Sequence, residues 1–229
     1  MANLPFHLFD VKHNTDPKNK IQIYVPKELY KNVDNMIQSV LMVNNNLTDD
    51  SRKKIVDIEK YCYKLNPMEP GTEFILNIKQ KKFKIEIIKC YHIIDCVGYG
   101  IIEIKSKLKK EYSGLTNKEI VDLKKQKIEI CDEIENPVFC FLGDTSKEIL
   151  DDKTIEKYKN IMIECTFLVE EDIEQANKTT HMHWNYLEPY IKNHPDNTFI
   201  LYHFSRRYKK KFIEEFFKDT YKNIIPWIN

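Results

Sequence analysis

Short apolar runs alternate with amphipathic stretches toward the end of the chain, and this alternation constrains the fold more than any other feature. The apolar runs cover residues 138–142, 161–163 and 198–202 and are typical of buried strands. Residues 153–159, 184–191 and 209–217 have helical spacing. The pattern predicts an α/β layered domain whose strand ends face one site.

The first part of the chain also contains strand and helix patterns. Residues 21–25 alternate and stop at Pro26, which predicts a strand. The helix expected next carries one apolar stripe, made of Val33, Met36, Ile37, Val40 and Leu41. Beyond it, the sequence predicts an amphipathic helix at 50–63, a hairpin of 74–78 with 83–88, and a strand at 97–104.

The composition of the sequence changes between residues 105 and 135, where charged residues dominate and Asn117 is a candidate helix cap. We interpret this segment as an insertion. The chain has 229 residues, 42% of them hydrophobic, which suits one sizeable core. We therefore predict a single domain over residues 1–229 with a charged helical insertion at about 105–135.

Composition excludes several classes of protein. The formal net charge of +1 provides no overall field to attract nucleic acid or an anionic membrane. No apolar stretch approaches the roughly 20 residues of a membrane span, and the N-terminus lacks the features of a signal peptide. The cysteines lack C-x-x-C spacing and mostly lie in apolar runs, as expected of free thiols: Cys62, Cys90, Cys96, Cys131, Cys140 and Cys165. These features predict an intracellular protein, cytoplasmic or nuclear, without a membrane partner.

Three side chains that commonly bind metals directly follow or end predicted strands: His92, Asp144 and His203. Two metal ions held by such residues can activate water and neutralise phosphoryl charge, which phosphodiester hydrolysis requires. Taken singly, each residue has a simpler interpretation. The aspartate can form a turn, and each histidine can be an ordinary hydrogen-bonding residue.

Five motifs occur in order along the chain: His92 followed by Gly98-Tyr99, then Gly143-Asp144-Thr145, Glu164-Cys165-Thr166-Phe167, Ala176 through His181-Met182-His183, and His203-Phe204-Ser205-Arg206-Arg207-Tyr208. Together they resemble ribonuclease Z, the tRNA 3′ processing endonuclease of the metallo-β-lactamase superfamily, in its short eukaryotic form. The resemblance extends to residues 23–26, 107–112 and 119–120 and therefore covers nearly the whole chain.

The resemblance implies an α/β fold of the metallo-β-lactamase type, an αββα sandwich, here truncated at the N-terminus. It implies two zinc ions as cofactors, with His92 and His203 each binding one ion and Asp144 bridging both. It assigns Glu164 and His181 to proton transfer toward the departing 3′ oxygen, and a tRNA precursor as the substrate. His183, the other histidine of the His-x-His, is expected to have a structural role.

The sequence departs from the family in one respect. The His-x-His-x-Asp-His motif, which supplies four of the seven protein ligands in the family, does not occur, and Leu4-Pro5 matches the segment that follows it. Each zinc ion would receive two protein ligands, fewer than the three usual for catalytic zinc. His7, Asp10 and His13 have suitable chemistry but lie beyond the family's ligand position. We therefore expect the missing ligands to lie on a complementing chain or in a longer reading frame, and we expect the partner to be a second copy of this chain or a complementing chain.

Three hypotheses follow. The chain is part of a zinc-dependent endonuclease that is incomplete or inactive alone, a non-catalytic RNA-binding or dimerising relative, or a residual reading frame whose product does not fold alone. Basic clusters at 105–110 and 124–127 are interpreted as solvated faces. The cluster at 206–211 is a candidate for phosphate contact because it adjoins His203 and includes Tyr208 as a stacking platform.

Overall fold

The computed structural model describes residues 20–44 and 63–228. These residues divide between two compact units, with the boundary between Pro70 and Gly71. The predicted helix at 50–63 lies outside the described residues except for Tyr63, which begins a strand. His7, Asp10 and His13 also lie outside them.

The first unit consists of strands β1 (Ile21–Pro26) and β2 (Tyr63–Met68) and helix α1 (Tyr30–Asn44). The two strands pair in parallel. Their buried side chains form a small core with the apolar stripe of α1: Val25, Val33, Ile37, Tyr63 and Leu65. The predicted strand at 21–25 and the helix after it are therefore confirmed.

The second unit is built on one seven-stranded sheet in which the strands lie in chain order. Its strands are β3 (Glu73–Ile78), β4 (Lys81–Lys89), β5 (Val97–Leu108), β6 (Cys131–Phe141), β7 (Asn160–Glu164), β8 (Thr198–Tyr202) and β9 (Ile224–Pro226). Strands β3 to β6 pair antiparallel, whereas β6 to β9 pair in parallel. Parallel strands bring their carboxyl ends to one edge, so the residues that follow β6, β7 and β8 are placed close together.

Four helices belong to this unit: α2 (Asn117–Lys125), α3 (Ile173–Thr179), α4 (Trp184–Asn193) and α5 (Lys210–Phe217). Short 3-10 turns occur at Lys110–Tyr112, Lys147–Asp151, Lys153–Ile155 and Glu170–Asp172. The main core joins the parallel strands to the apolar faces of α4 and α5 through Ile161, Phe199, Leu187 and Phe217. This packing fixes the strand ends that carry the polar residues described below.

Two local predictions need correction. Residues 153–159 form only the 3-10 turn Lys153–Ile155, because the backbone amides bond to carbonyls three residues earlier and the Asp152 side chain accepts from Thr154. The cap of α2 is Thr116, one residue before Asn117, and it forms a reciprocal capping box with Glu119.

The charged segment 105–135 begins and ends in strands and contains helix α2. Strand β5 extends to Leu108 and β6 begins at Cys131, so both ends of the segment are paired strands. Two glutamates of β6 form ion pairs with lysines of β4, on the far side of β5: Glu133 with Lys82 and Glu135 with Lys84. The partners are about fifty residues apart in the chain, so a local pattern could not reveal them.

Within the described ranges, none of the helices is both long and apolar enough to cross a membrane. The single domain over 1–229 with its insertion, and the cytoplasmic or nuclear location, stay predictions.

Candidate metal and acid–base site

Glu164 lies at the centre of a polar cluster at the carboxyl ends of the parallel strands. It is the last residue of β7, and its side chain is completely buried. Its carboxylate accepts hydrogen bonds from the backbone amides of Thr145 (2.6 Å) and Met182 (3.2 Å). It also accepts from the Thr166 hydroxyl and lies 2.9 Å from His181 Nδ1. A buried carboxylate needs such donors to offset its loss of hydration.

His181 follows the C-cap residue of α3, Thr180, which has the left-handed conformation. Its Nδ1 lies 2.9 and 3.0 Å from the two oxygens of Glu164, which leaves Nε2 directed away from the carboxylate. The hydrogen bond to Glu164 raises the pKa of His181 above its ordinary value of 6.5. The imidazole is therefore held protonated to a higher pH than a free histidine.

His203 directly follows β8 and has a left-handed backbone, with φ of 62°. This conformation is uncommon outside glycine and is maintained here by its surroundings. The Thr166 hydroxyl lies 2.9 Å from His203 Nδ1, and the Ser205 amide donates to the Thr166 carbonyl at 2.9 Å. Thr166 thus contacts both the side chain of His203 and the turn that follows it.

The hydroxyl of Thr166 determines which nitrogen of His203 carries the proton. Its single hydrogen is shared between the Glu164 carboxylate and, at 3.2 Å, the His203 carbonyl, so toward the His203 ring its oxygen acts as the acceptor from Nδ1–H. His203 Nε2 then carries the lone pair and lies 3.8 Å from Asp144 Oδ1. Two donor atoms bound to one zinc ion at about 2 Å each lie at most roughly 4 Å apart, so this pair fits a shared ion.

Asp144 and His92 complete the cluster. Asp144 lies in the loop after β6, and His92 lies in the loop after β4. The ring of His181 lies between the other two imidazoles, with its centroid 4.7 Å from that of His92 and 5.3 Å from that of His203. The structure therefore brings together all five residues singled out by the sequence: His92, Asp144, Glu164, His181 and His203.

Two overlapping groups have donor atoms within 4.8 Å of one another. They are His92, Asp144 and His181, and Glu164, His181 and His203. Imidazole and carboxylate donors suit zinc. The Nδ1 atoms of His181 and His203 form hydrogen bonds with Glu164 and Thr166, respectively. Hydrogen bonds of this kind orient the imidazoles that bind metals. The described residues thus fit part of a metal site. The geometry of His181 is compatible with two roles, as a metal ligand or as a general acid.

His183, by contrast, is structural. It is completely buried, its Nδ1 accepts from the Asn185 amide at the start of α4, and its Nε2 contacts the Val169 carbonyl at 2.8 Å. Tyr208 makes contacts within the fold as well. Its hydroxyl binds Asp172, which also pairs with Arg207, and its ring stacks on Phe212.

Two residues that sequence reasoning did not single out help to build the site. Thr145 donates its amide to Glu164, and its hydroxyl accepts from the Tyr91 amide, which joins the Asp144 loop to the His92 loop. Thr166 links Glu164 to His203. Both lie inside the recognised motifs, yet nothing in their spacing indicates these contacts.

The role of Thr166 can be tested by replacing it with valine, which has nearly the same shape but no hydroxyl. We expect Thr166→Val to weaken binding of a divalent metal about 10- to 100-fold, because His203 loses the contact that orients it. Thr166→Ser should bind nearly as well as the original protein. Calorimetric titration with zinc measures the difference, and equal affinities for the valine and serine variants would contradict this role.

Comparison with solved structures defines the class of protein. The metallo-β-lactamase fold protein YhfI of Bacillus subtilis superposes with a TM-score of 0.55 at 13% identity, covering 98% of this chain and 68% of that one. The short form of human tRNase Z gives a TM-score of 0.54 at 14% identity, covering 99% of this chain and 71% of that one. The chain has the metallo-β-lactamase fold, which confirms the predicted α/β class.

Sequence comparison narrows the class. The chain is 34% identical over 164 residues to tRNase Z TRZ1 of Arabidopsis thaliana, an alignment that covers 70% of this chain and 58% of the relative. The protein is a relative of ribonuclease Z, which confirms the resemblance seen in its motifs. No protein-family model matches the chain. The alignment spans little more than half of the plant relative's length.

Proposed function

We propose that this chain carries ribonuclease Z chemistry, the metal-dependent cleavage of tRNA precursors at their 3′ ends. The observation that supports this most is the cluster around Glu164, which gathers two imidazoles, with Asp144 and His92 beside them, at one edge of the sheet. The similarity to a plant tRNase Z points to the same chemistry and to tRNA as the substrate.

We assign metal binding to His92, Asp144 and His203, with Asp144 bridging two zinc ions. Bound zinc would neutralise charge on the phosphoryl oxygens and lower the pKa of an attacking water. Thr166 and Glu164 would hold His203 with Nε2 toward Asp144. Asp144 is only partly exposed and follows the buried end of β6, which would limit its movement.

We assign proton transfer to His181 and Glu164. Glu164 holds His181 Nδ1 and raises its pKa, so the Nε2 proton is available to the 3′ oxygen as it departs. Glu164 itself is completely buried and would act through His181 without touching the RNA. In these assignments His181 is the general acid, and His92 and His203 are metal ligands.

Phosphate contact is assigned to the exposed cations that follow His203. Arg206 and the lysines at 209–211 are exposed, whereas Arg207 is paired with Asp172. Arg207 and Tyr208 thus anchor the turn through Asp172, and Arg206 is the arginine that remains for the RNA backbone.

Full metal occupancy would require further ligands. The sequence contains no His-x-His-x-Asp-His, and the assigned residues offer each ion two donors, counting Asp144 twice. We propose that a complementing chain or an upstream segment of a longer reading frame supplies the others.

A cleavage assay on a labelled tRNA precursor tests this function. The chain is incubated alone, and with a complementing His-x-His-x-Asp-His segment, in zinc and in excess chelator. Zinc-dependent release of the 3′ trailer supports the proposal. RNA binding that survives chelation, without cleavage in either preparation, would favour a non-catalytic RNA-binding relative instead.

The assignment of His181 as acid predicts a specific phenotype. In any preparation with zinc-dependent cleavage, His181→Ala should slow cleavage about 100- to 10,000-fold, the usual contribution of general acid catalysis, and leave the zinc content intact. Elemental analysis and single-turnover rates measure both effects. His194→Gln, a substitution of the half-buried histidine that follows α4, serves as the control. Loss of zinc in His181→Ala would make His181 a ligand.

A further inference from the structure

Cys90 and Cys96 lie opposite one another where the β4–β5 ladder ends. The last ladder pair is Lys89 with Val97, and the next step of that register pairs the two cysteines. The Cys90 amide donates to the Cys96 carbonyl at 3.3 Å, which continues the antiparallel pairing. Residues directly opposite in such a ladder point to the same face with Cα atoms about 4.5–5.5 Å apart, inside the range a disulfide spans.

The two thiols are in contact and differ in exposure. Each sulfur interacts directly with the other. Cys90 is buried, with 6% of its surface exposed, whereas Cys96 is partly exposed. Cys140 and Cys165 are completely buried in the core. Of the two opposed thiols, Cys96 is therefore the one that a small oxidant reaches, and Cys90 is placed to react with it next.

This thiol pair adjoins the loops of the candidate metal site. The residues between the two cysteines include His92. On the other side, the sulfurs of Cys90 and Cys96 interact with the backbone amides of Gly143 and Asp144, respectively. A Cβ atom at Gly143 would overlap the Cys96 sulfur, so the absence of a side chain there makes room for the thiol.

We propose that Cys90 and Cys96 form an oxidation site that closes to a cross-strand disulfide with hydrogen peroxide and shifts the Asp144 loop. The Cys96 sulfur attacks one peroxide oxygen, the O–O bond breaks, and water leaves, giving a sulfenic acid. The Cys90 sulfur then attacks the Cys96 sulfur, the S–O bond breaks, and a second water leaves. Two thiols lose two electrons and two protons, and one peroxide becomes two waters.

The disulfide has two structural consequences. It ties the ends of the loop that carries His92. It also moves both sulfurs to bonding distance, about 2.05 Å, and so changes their contacts with the amides of Gly143 and Asp144. The proposal rests on the thiol geometry alone and holds whether or not the chain cleaves RNA.

Mass spectrometry of the full chain tests the bond. Trypsin cleaves after Lys89 and Lys105, so both cysteines lie in one peptide without an internal lysine or arginine. After mild peroxide treatment and alkylation, we expect most of this peptide to be two hydrogens lighter and unalkylated, and dithiothreitol to reverse the change. Cys90→Ser should leave Cys96 oxidised singly, and Cys131→Ser, at the start of β6, should behave as the original protein. A peptide that stays doubly alkylated, or gains oxygen without closing, would overturn the proposal.

Amide NMR spectra test the link to the site. Oxidation should shift the signals of Gly143 and Asp144, leave that of Ile225 in the distant strand β9 unchanged, and have no such effect in Cys90→Ser. Unchanged Gly143 and Asp144 signals in a chain with the disulfide fully formed would overturn the coupling.

Discussion

Asp144→Asn is expected to abolish both high-affinity metal binding and cleavage. The proposed role makes Asp144 a ligand shared by two ions, and an amide cannot provide the anionic bridge. The loss of several kcal/mol of stabilisation of transition-state charge corresponds to a rate decrease of about 1,000-fold or more. Calorimetric zinc titration and the trailer-release assay measure the two effects.

A control separates this effect from a general change in charge. Asp151→Asn removes one carboxylate from an exposed position in the same part of the chain and should leave both measurements unchanged. The fold should also survive Asp144→Asn, because Asp144 is partly exposed and its carboxylate lies 3.8 Å from His203 Nε2, beyond hydrogen-bond distance. Cleavage that persists in Asp144→Asn would rule out the bridging role.

Glu164→Gln is expected to damage both stability and chemistry. The amide nitrogen of glutamine would face donors that now bind a carboxylate oxygen, among them the amides of Thr145 and Met182. Removing the charge from a completely buried, paired group costs about 3–5 kcal/mol, which denaturant unfolding should reveal. Glu171→Gln, in the exposed turn before α3, is the matched control and should be neutral.

The same substitution should change the pH dependence of cleavage. The pKa of His181 is raised above 6.5 by its hydrogen bond to Glu164, so the protonated acid persists to higher pH. Cleavage should therefore decline only as pH rises through this raised pKa. In Glu164→Gln the pKa falls back, so the decline should begin at lower pH. An unchanged alkaline limb in a folded Glu164→Gln protein would show that His181 is not the acid.

The His181–Glu164 pair also makes the stability of the fold depend on pH. Because the folded-state pKa of His181 lies above the unfolded value, its contribution to stability is fully present below about pH 6.5. The contribution is lost as pH rises through the folded-state pKa. Glu164→Gln should remove this part of the pH dependence of the free energy of unfolding. The variant is less stable by a constant amount at every pH, and once that amount is subtracted, the curves of unfolding free energy against pH for the two proteins should converge at alkaline pH.

Sequence patterns predicted the parallel half of the second unit well. Strands β7 and β8 were expected at 161–163 and 198–202, and they are found at Asn160–Glu164 and Thr198–Tyr202. Each is short, apolar on both faces and bounded by polar residues, so local sequence is informative. Strands β2 and β9 were missed. The first contains Asn66 and Pro67, and the second has only three residues, so neither shows the usual alternation.

The sequence by itself determined the kinds of residue in the site, because His92, Asp144, Glu164, His181 and His203 each follow a recognisable run or motif. Only the tertiary structure decided their relations, since hydrogen bonds join residues that are distant in the chain. Thr145 meets Glu164 across 19 positions and Thr166 meets His203 across 37. A spacing pattern carries no information on which nitrogen of an imidazole is occupied. The nitrogen that is hydrogen-bonded depends on the donors and acceptors that the parallel strands bring to one edge of the sheet. At that edge the Glu164 carboxylate orients His181, and the Thr166 hydroxyl orients His203.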